Sequence, residues 1–366
     1  MRIAVFHELP PGGARNAVYA LSRELIKLGH LIDFYYTGSQ KEDDLPFKHI
    51  YFYNFSAKAW SGGDWKTRLY KDSLELIKLK KLHRKIALDI NSKHYDAVLV
   101  NGSEYTEAPY VLRYLNLFSI FYCHDPNYRI IYEPILAVEG FSIKALYEKL
   151  NRFFRRMIDK KNFSSASEIY VNSQFASKVV KKTYGTESRV VYLGVDTKFF
   201  KPSKDVNKTI DVLFIGSKHP IDGYEFFKSA TKKIKYKLRV KTVLNEDQWL
   251  TTNDIKDLYL KSRIVICFAV NEPFGLVALE AMSCGVVVIA VNEGGYKETI
   301  INGKTGILIK RNSSILANKI SYLLRRPTTI RNISAAAREH VVLNWDWELK
   351  SKAFSNEIEN SLKTLK

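Results

Sequence analysis

Short, nearly continuous apolar runs recur along the chain, separated by stretches with helical spacing. Residues 2–7, 31–37, 96–101, 118–122, 168–171 and 190–193 read as strands in the first half. Residues 210–215, 263–268, 286–291 and 307–309 read as strands in the second. β-branched runs of this length suit parallel strands covered on both faces. Between them, residues 16–28 read as a helix closed by Gly29, a residue that suits a helix end. Residues 174–184 read as a helix capped by Asn172-Ser173, and 276–283 as a helix ending near Gly285. Strand and helix in alternation predict an α/β protein built on doubly wound parallel sheets. Residues 235–241 alternate basic and apolar, which predicts a half-buried strand with a cationic row on one face.

Composition adds scale. A chain of 366 residues with 46% hydrophobic content supports two domains of ordinary size, each with a core. Cys123, Cys267 and Cys284 lie in apolar stretches without C-x-x-C or metal-ligand spacing, so buried free thiols in a reducing interior are expected. Residues 1–6 form a strand and lack the length of a signal-peptide core. No stretch approaches the ~18 apolar residues of a membrane span. A cytoplasmic protein, or one peripheral on the cytosolic face of a membrane, is the expectation.

The net charge of +19 calls for an anionic partner: membrane lipid, nucleic acid or a phosphorylated substrate. Nucleic acid is not expected, because no recognition helix, aromatic RNA-binding signature or zinc finger is present. Two helical segments concentrate the charge. Residues 66–85 carry +6, with Leu69, Leu76, Leu79 and Leu82 near helical spacing. Residues 144–161 carry +5 together with Phe153, Phe154 and Met157. Each reads either as a solvated face of a packed helix or as a surface for an anionic membrane or an acceptor.

Candidate chemistry gathers in residues 271–295, NEPFGLVALEAMSCGVVVIAVNEGG, a turn, helix and strand following the strand at 263–268. Pro273 cannot donate to a ladder, and Gly275 lets the backbone approach a ligand. In doubly wound sheets ligands bind beyond the carboxyl ends of the strands, which places Glu272 at a strand mouth. Glu280 follows in the helix, whose first amides form an anion site. Such a carboxylate pair suits the hydroxyls of a polyol; the plainer reading is one loop charge and one solvated helix carboxylate. Near the amino terminus, Gly12 and Gly13 lie between a strand and a helix, as a phosphate cradle or a simple turn.

The string E-P-F-G-L-V-A-L-E-A-M-S-C-G, followed by V-I-A-V-N-E-G-G, closely resembles the nucleotide-sugar site of the retaining GT-B glycosyltransferases, family four in particular. The pattern N-S-x-F, Y-G, G-V-D and F-x-P over residues 172–202 resembles the end of that family's first domain and its hinge. The resemblance implies two Rossmann-like domains facing a cleft. Residues 1–200, completed by a helix at 345–366 that crosses back, form the acceptor side, and 201–344 bind the nucleotide sugar. It implies Glu272 beside the donor sugar, the Phe274, Gly275 and Leu276 backbone near sugar and phosphate, Glu280 on the ribose hydroxyls, and Glu298 in a loop near the donor. Gly12 and Gly13 match a glycine-rich loop facing the pyrophosphate, with Arg15 a nearby cation. His124, within Y-C-H-x-P, resembles the family's histidine near the sugar, in wording similar to members that act on lipid-linked oligosaccharides.

The chain departs from the family at the loop opened by Gly216. An Arg directly after the first glycine and a Lys directly before the second are usual there; Ser217 and Asp222 stand in their places, with Lys218 one residue off. The short interval before residue 263 also implies a trimmed second domain. The implied activity is retaining transfer of a hexosyl group from a nucleotide diphosphate sugar to a saccharide or lipid-linked acceptor, with His124, Glu272 and Lys218 at the reacting centre. No cofactor and no metal are expected, since no D-x-D motif occurs. A nucleotide-sugar epimerase or related GT-B enzyme, and a non-catalytic protein binding an anionic ligand, are the alternatives.

Overall fold

The computed structural model describes the chain except residues 43–44, 59–63, 127–128, 245–249 and 365–366. The chain forms two compact units: Met1–Asn172 with Ser177–Tyr192 and Ser351–Lys366, and Ser173–Ala176 with Leu193–Lys350.

The first unit is a parallel sheet of β1 (Arg2–Glu8), β2 (Leu31–Gly38), β3 (His49–Asn54), β4 (Ala97–Ser103), β5 (Ser119–Cys123), β6 (Glu168–Val171) and β7 (Arg189–Val190). Their order is β3-β2-β1-β4-β5-β6-β7. β1 pairs with β2 (Ile3 opposite Ile32) and with β4 (Ile3 opposite Ala97), both parallel, so the order in which strands are added reverses between β1 and β4. Ile3, Ala4, Val5 and Phe6 are fully buried, as a central strand covered by helices requires. β3 has no counterpart among the strands expected from the apolar runs. Its sequence HIYFYN is aromatic and only half-buried, an edge strand held by stacking such as Tyr51 on Tyr35 at 4.5 Å.

The basic segment expected as one helix at 66–85 is broken. A helix at Trp65–Tyr70, capped by Asp64, runs through a π-helical turn at Lys71–Glu75 into a helix at Leu76–Asn91. The wide turn rotates the apolar face. Leu69 is therefore exposed, while Leu76, Leu79, Ile86 and Ile90 are buried.

The second unit is a parallel sheet of β8 (Ile210–Gly216), β9 (Val240–Leu244), β10 (Ser262–Cys267), β11 (Val287–Val291) and β12 (Ile307–Ile309), in the order β12-β11-β10-β8-β9. Here the switch falls between β8 and β10. The strand expected at 235–241 is displaced. Pairing of Val212 with Val240 puts Val243 and Leu244 into the core, whereas the basic–apolar alternation upstream has no surface to bury against. A helix at Thr252–Lys261 leads from there toward β10.

The last helix, Trp347–Lys363, carries the chain back to the first unit. Phe354 inserts edge-on to Tyr122 and Tyr170, and the Tyr170 and Ser361 hydroxyls meet at 2.8 Å. This is the returning helix that the family resemblance implied. Cys123, Cys267 and Cys284 are buried free thiols.

Candidate active site

In the second unit, three loops meet at the carboxyl ends of β8, β10 and β11. The loop after β10 carries Glu272 to Gly275, and the loop after β11 carries Gly294 and Gly295. They are pressed together backbone to backbone: the Gly295 amide donates to the Glu272 carbonyl at 2.7 Å. A Cβ at Gly294 would lie 2.3 Å from that same carbonyl oxygen, and Gly294 has φ +59°. Gly275, at φ +95°, opens the helix Leu276–Ser283 with the Tyr296 ring 2.7 Å from where its Cβ would stand. Side chains are excluded at these points, so the turn exposes backbone amides at the helix start, the geometry that binds anions.

Phe274 points away into the core, its ring edge-on to Trp345, so its contribution to the loop surface is backbone. Glu272 and Leu276 are half-buried at the strand mouth. Glu280 is held by the buried Tyr259 hydroxyl at 2.9 Å. Burial pushes its carboxyl up to about 7, against the smaller opposing effect of that hydrogen bond. Glu298 is turned elsewhere. Its two oxygens accept from the Gln174 and Phe175 amides at 2.9 and 2.8 Å.

The loop opened by Gly216 explains its own departure from the family pattern. Ser217 donates its amide and its hydroxyl to the Asp222 carboxylate, at 2.7 and 2.5 Å. The two unusual residues are each other's partners and close the loop between them. Lys218 stands exposed beside them.

In the first unit the candidates lie beyond β1 and β5, flanking the β1/β4 switch. Gly12 precedes the helix Gly13–Lys27, and Arg15 sits in its first turn. Arg15 donates to Glu42 at 2.9 Å, and the other Glu42 oxygen accepts from Tyr19 at 2.7 Å. The cation is therefore already balanced by a carboxylate.

His124 is buried at the end of β5. The Asn101 amide nitrogen donates to the Phe6 carbonyl at 3.1 Å, which leaves its Oδ1 as the acceptor facing His124 Nε2 at 3.0 Å. His124 must carry its proton on Nε2, so Nδ1 is an acceptor, and it has no partner among the described residues. Burial lowers the imidazole to about 3, so the ring is neutral throughout the ordinary pH range.

Apart from Glu298, the candidates of each unit thus lie around a topological switch point, where open α/β sheets bind their ligands. Two family models cover most of the chain. One, described as Glycosyltransferase Family 4, matches residues 11–199; the other, described as Glycosyl transferases group 1, matches residues 197–340.

The chain belongs to glycosyltransferase family 4.

Among relatives of this family 4 glycosyltransferase, alpha-1,3/1,6-mannosyltransferase alg2 of Schizosaccharomyces pombe is 24% identical over all of this chain and 82% of the relative. D-inositol 3-phosphate glycosyltransferase of Rhodococcus erythropolis is 36% identical, over 26% of this chain and 21% of its own. Sucrose-phosphate synthase of Thermosynechococcus elongatus has the same fold, with a TM-score of 0.74 at 18% identity and 99% of both chains covered. Anabaena Alr3699/HepE, solved with UDP and glucose, gives 0.70 at 19% identity, covering 98% of this chain and all of that one. These structural likenesses establish the GT-B fold of two Rossmann-like domains.

Several residues at the switch points of this family 4 protein carry no signal in the sequence. His7, at the end of β1, accepts from the Leu9 amide and contacts Tyr19, extending the Arg15–Glu42 network. Glu8 is buried and accepts from Thr37 at 2.5 Å, from Ser103 and from His83. Arg311, just after β12, donates to the Phe268 and Ala269 carbonyls at 2.6 and 3.1 Å and pairs with Glu293, clasping the loop after β10. A cavity of about 390 Å³ in the first unit is lined by charged residues, Arg68, Asp72, Glu148 and Arg155, and by apolar ones, Leu76 and Ile131. Partners separated by tens of residues leave no spacing to recognise. Among the described residues, no group of three His, Cys, Asp or Glu is placed to hold a metal ion. Among them too, no helix is long and apolar enough to cross a membrane.

Proposed function

We propose that this glycosyltransferase moves a hexosyl group, with retention at the anomeric carbon, from a nucleotide diphosphate sugar to a saccharide carried on a lipid, at the cytosolic face of a membrane. The observation that carries the donor assignment is the glycine-interlocked turn from Glu272 to Gly275, which leads directly into the helix bearing Glu280. It offers amides for a diphosphate and a carboxylate one and a half turns on for ribose hydroxyls.

In this reading the Leu276 end of the helix, the Gly12-Gly13 amides and Lys218 stabilise the departing nucleotide diphosphate. Gly216, Ser217 and the Phe274 backbone line the same ligand, Glu298 fixes the neighbouring loop, and Arg15 contributes charge when Glu42 releases it. Glu272 and His124 orient the sugar. A neutral His124 with an unfilled Nδ1 suits a sugar hydroxyl donating to it and does not suit proton delivery. No metal or cofactor has a role. Support for the donor class comes from the likeness to HepE, solved with UDP and glucose. Support for a saccharide acceptor comes from the likeness to an alpha-1,3/1,6-mannosyltransferase, which spans 82% of that relative.

Thermal unfolding with UDP, GDP, ADP and their sugars, with and without Mg2+, tests the donor. A ligand at a hundred times its dissociation constant adds ~2.7 kcal/mol of stability. A metal-independent shift with one base is expected; no shift with any nucleotide overturns the reading. The anomeric configuration of the product, read by NMR, tests retention.

A further inference from the structure

The helix Ile143–Phe163 is built inside out. The side chains it buries are mainly polar: Asn151, Asp159 and Asn162, beside Ala145 and Phe163. They are tied into the first unit there, with Asn162 donating to the Ala108 carbonyl at 2.6 Å and Asp159 accepting from Tyr184 at 2.8 Å. Its exposed residues include Ile143, Leu146, Leu150, Phe153, Phe154 and Met157. These six fall within an arc of about 100° around the helix, the width of an ordinary core-facing stripe. Ile143 is 89% exposed, and Phe141, just before the helix, 98%. Lys149, Arg156, Lys160 and Lys161 are exposed beside this ridge.

The ridge has a companion. Arg68 pairs with Asp72 at 2.6 Å and with Glu148 at 2.8 Å, while Asp72 also accepts from Arg155 at 2.7 Å. Burial alone would raise the Asp72 carboxyl, but Arg155 and Arg68 together hold it below its ordinary value. This ionic lock fixes the long helix against the segment from Trp65 through the π turn. That segment and the first turn of the helix Leu76–Asn91 also turn apolar residues to solvent, namely Trp65, Leu69, Leu74 and Ile77. Exposed Lys66, Lys78, Lys80 and Lys81 accompany them. Two helical segments, locked to each other by ion pairs, thus each present apolar residues and lysines to solvent.

We infer that this pair of helices is a docking surface for an anionic lipid bilayer, with the Ile143–Met157 ridge entering the acyl boundary and the flanking cations meeting the headgroups. The inference rests on the lipid-linked reading of the acceptor, which requires the protein to work at a membrane. Charge selects the occupant. Apolar ridges flanked by Lys and Arg match an anionic interface, whereas a second copy of this surface would bring like charges together.

Flotation of the full chain with phosphatidylcholine vesicles, with and without phosphatidylglycerol, tests this without donor or acceptor. Wild type should float with anionic vesicles at low salt and dissociate as salt rises. The variant Leu150→Ser/Phe153→Ser/Phe154→Ser should bind at least ~10-fold more weakly, and Lys149→Ser/Lys160→Ser/Lys161→Ser should lose the preference for anionic lipid. All six positions are exposed, so melting temperatures should stay at the wild-type value. Wild type remaining in the aqueous fraction at low salt overturns the inference, as does equal binding by the apolar variant. Dimerisation that the same variant abolishes, seen by sedimentation velocity, overturns it in favour of a second copy. Thermal shifts with nucleotides, run in parallel, separate a failed docking surface from a failed donor site.

Discussion

The loops at the two switch points are held in place by different means. In the second unit the loops after β10 and β11 meet backbone to backbone, Gly294 and Gly295 lying against Glu272 and Pro273 with no room for a side chain, and Arg311 clasps them from outside. In the first unit, side chains do the holding. Glu8 gathers Thr37, Ser103 and His83; Asn101 bridges His124 to Phe6; Glu42 joins Arg15 to Tyr19. Backbone contact demands particular residue types at fixed spacing, so it leaves a motif. A side-chain network demands only that partners meet in space, so its members scatter.

The largest break in this comparison is expected at Gly294. Gly294→Ala places a methyl group 2.3 Å from the Glu272 carbonyl oxygen. The loop must separate from its neighbour, at a cost of about 3 kcal/mol, with loss of nucleotide binding. Urea unfolding measures the first and thermal shift the second; a variant that keeps both would show that the interlock is dispensable.

Asn101→Leu comes next. It strands the Nε2–H of His124 and the Phe6 carbonyl in a buried site, worth about 2 kcal/mol. Chemical denaturation should register the loss, and the histidine ring signals should show a changed tautomer. If the ring signals do not move, Asn101 does not set the tautomer.

Glu280→Gln sharpens the comparison through pH. The folded carboxyl titrates at about 7, above its ordinary value of 4.5, because burial disfavours the charge. The folded state therefore holds a proton that the unfolded state has lost, and wild-type stability falls as pH rises from about 4.5 to about 7. Glutamine removes this slope. The variant should melt with wild type near pH 4 and several degrees above it at pH 8, in the absence of ligand. Parallel melting curves would mean that Glu280 stays ionised in the fold.

The smallest effect is expected from Glu42→Gln. Its pair with Arg15 is partly solvated, so stability should change by less than about 1 kcal/mol. Nucleotide diphosphate affinity should rise about twofold if Arg15 is released toward phosphate; calorimetric titration decides it.

What could be read from the sequence follows the same division. The apolar runs at 2–7, 96–101, 263–268 and 286–291 became central strands because burial on both faces leaves few residue choices. β3 escaped notice because an edge strand can be polar, and β9 was misplaced because alternation of lysine with apolar residues mimics a strand where there is nothing to bury. The π turn at Lys71–Glu75 and the inverted helix at Ile143–Phe163 were hidden for another reason. A periodic pattern gives the width of an apolar stripe but not which way it faces. At the candidate site, Glu272, Gly275 and Glu280 stand out by spacing, whereas Glu8, Asn101 and Arg311 needed the fold to bring their partners near.

The split of the first unit across the sequence governs the order in which the protein can form. Its sheet is finished by Phe354, Ile358 and Ser361, which the ribosome supplies only after all of the second unit has been made. The amino-terminal strands must therefore wait, collapsed but unsealed, while the later unit is free to fold as soon as it emerges. That interval exposes the Tyr122–Tyr170 surface to chaperones or to aggregation. Loss of the last turns of the final helix should accordingly act first on the half of the molecule made earliest.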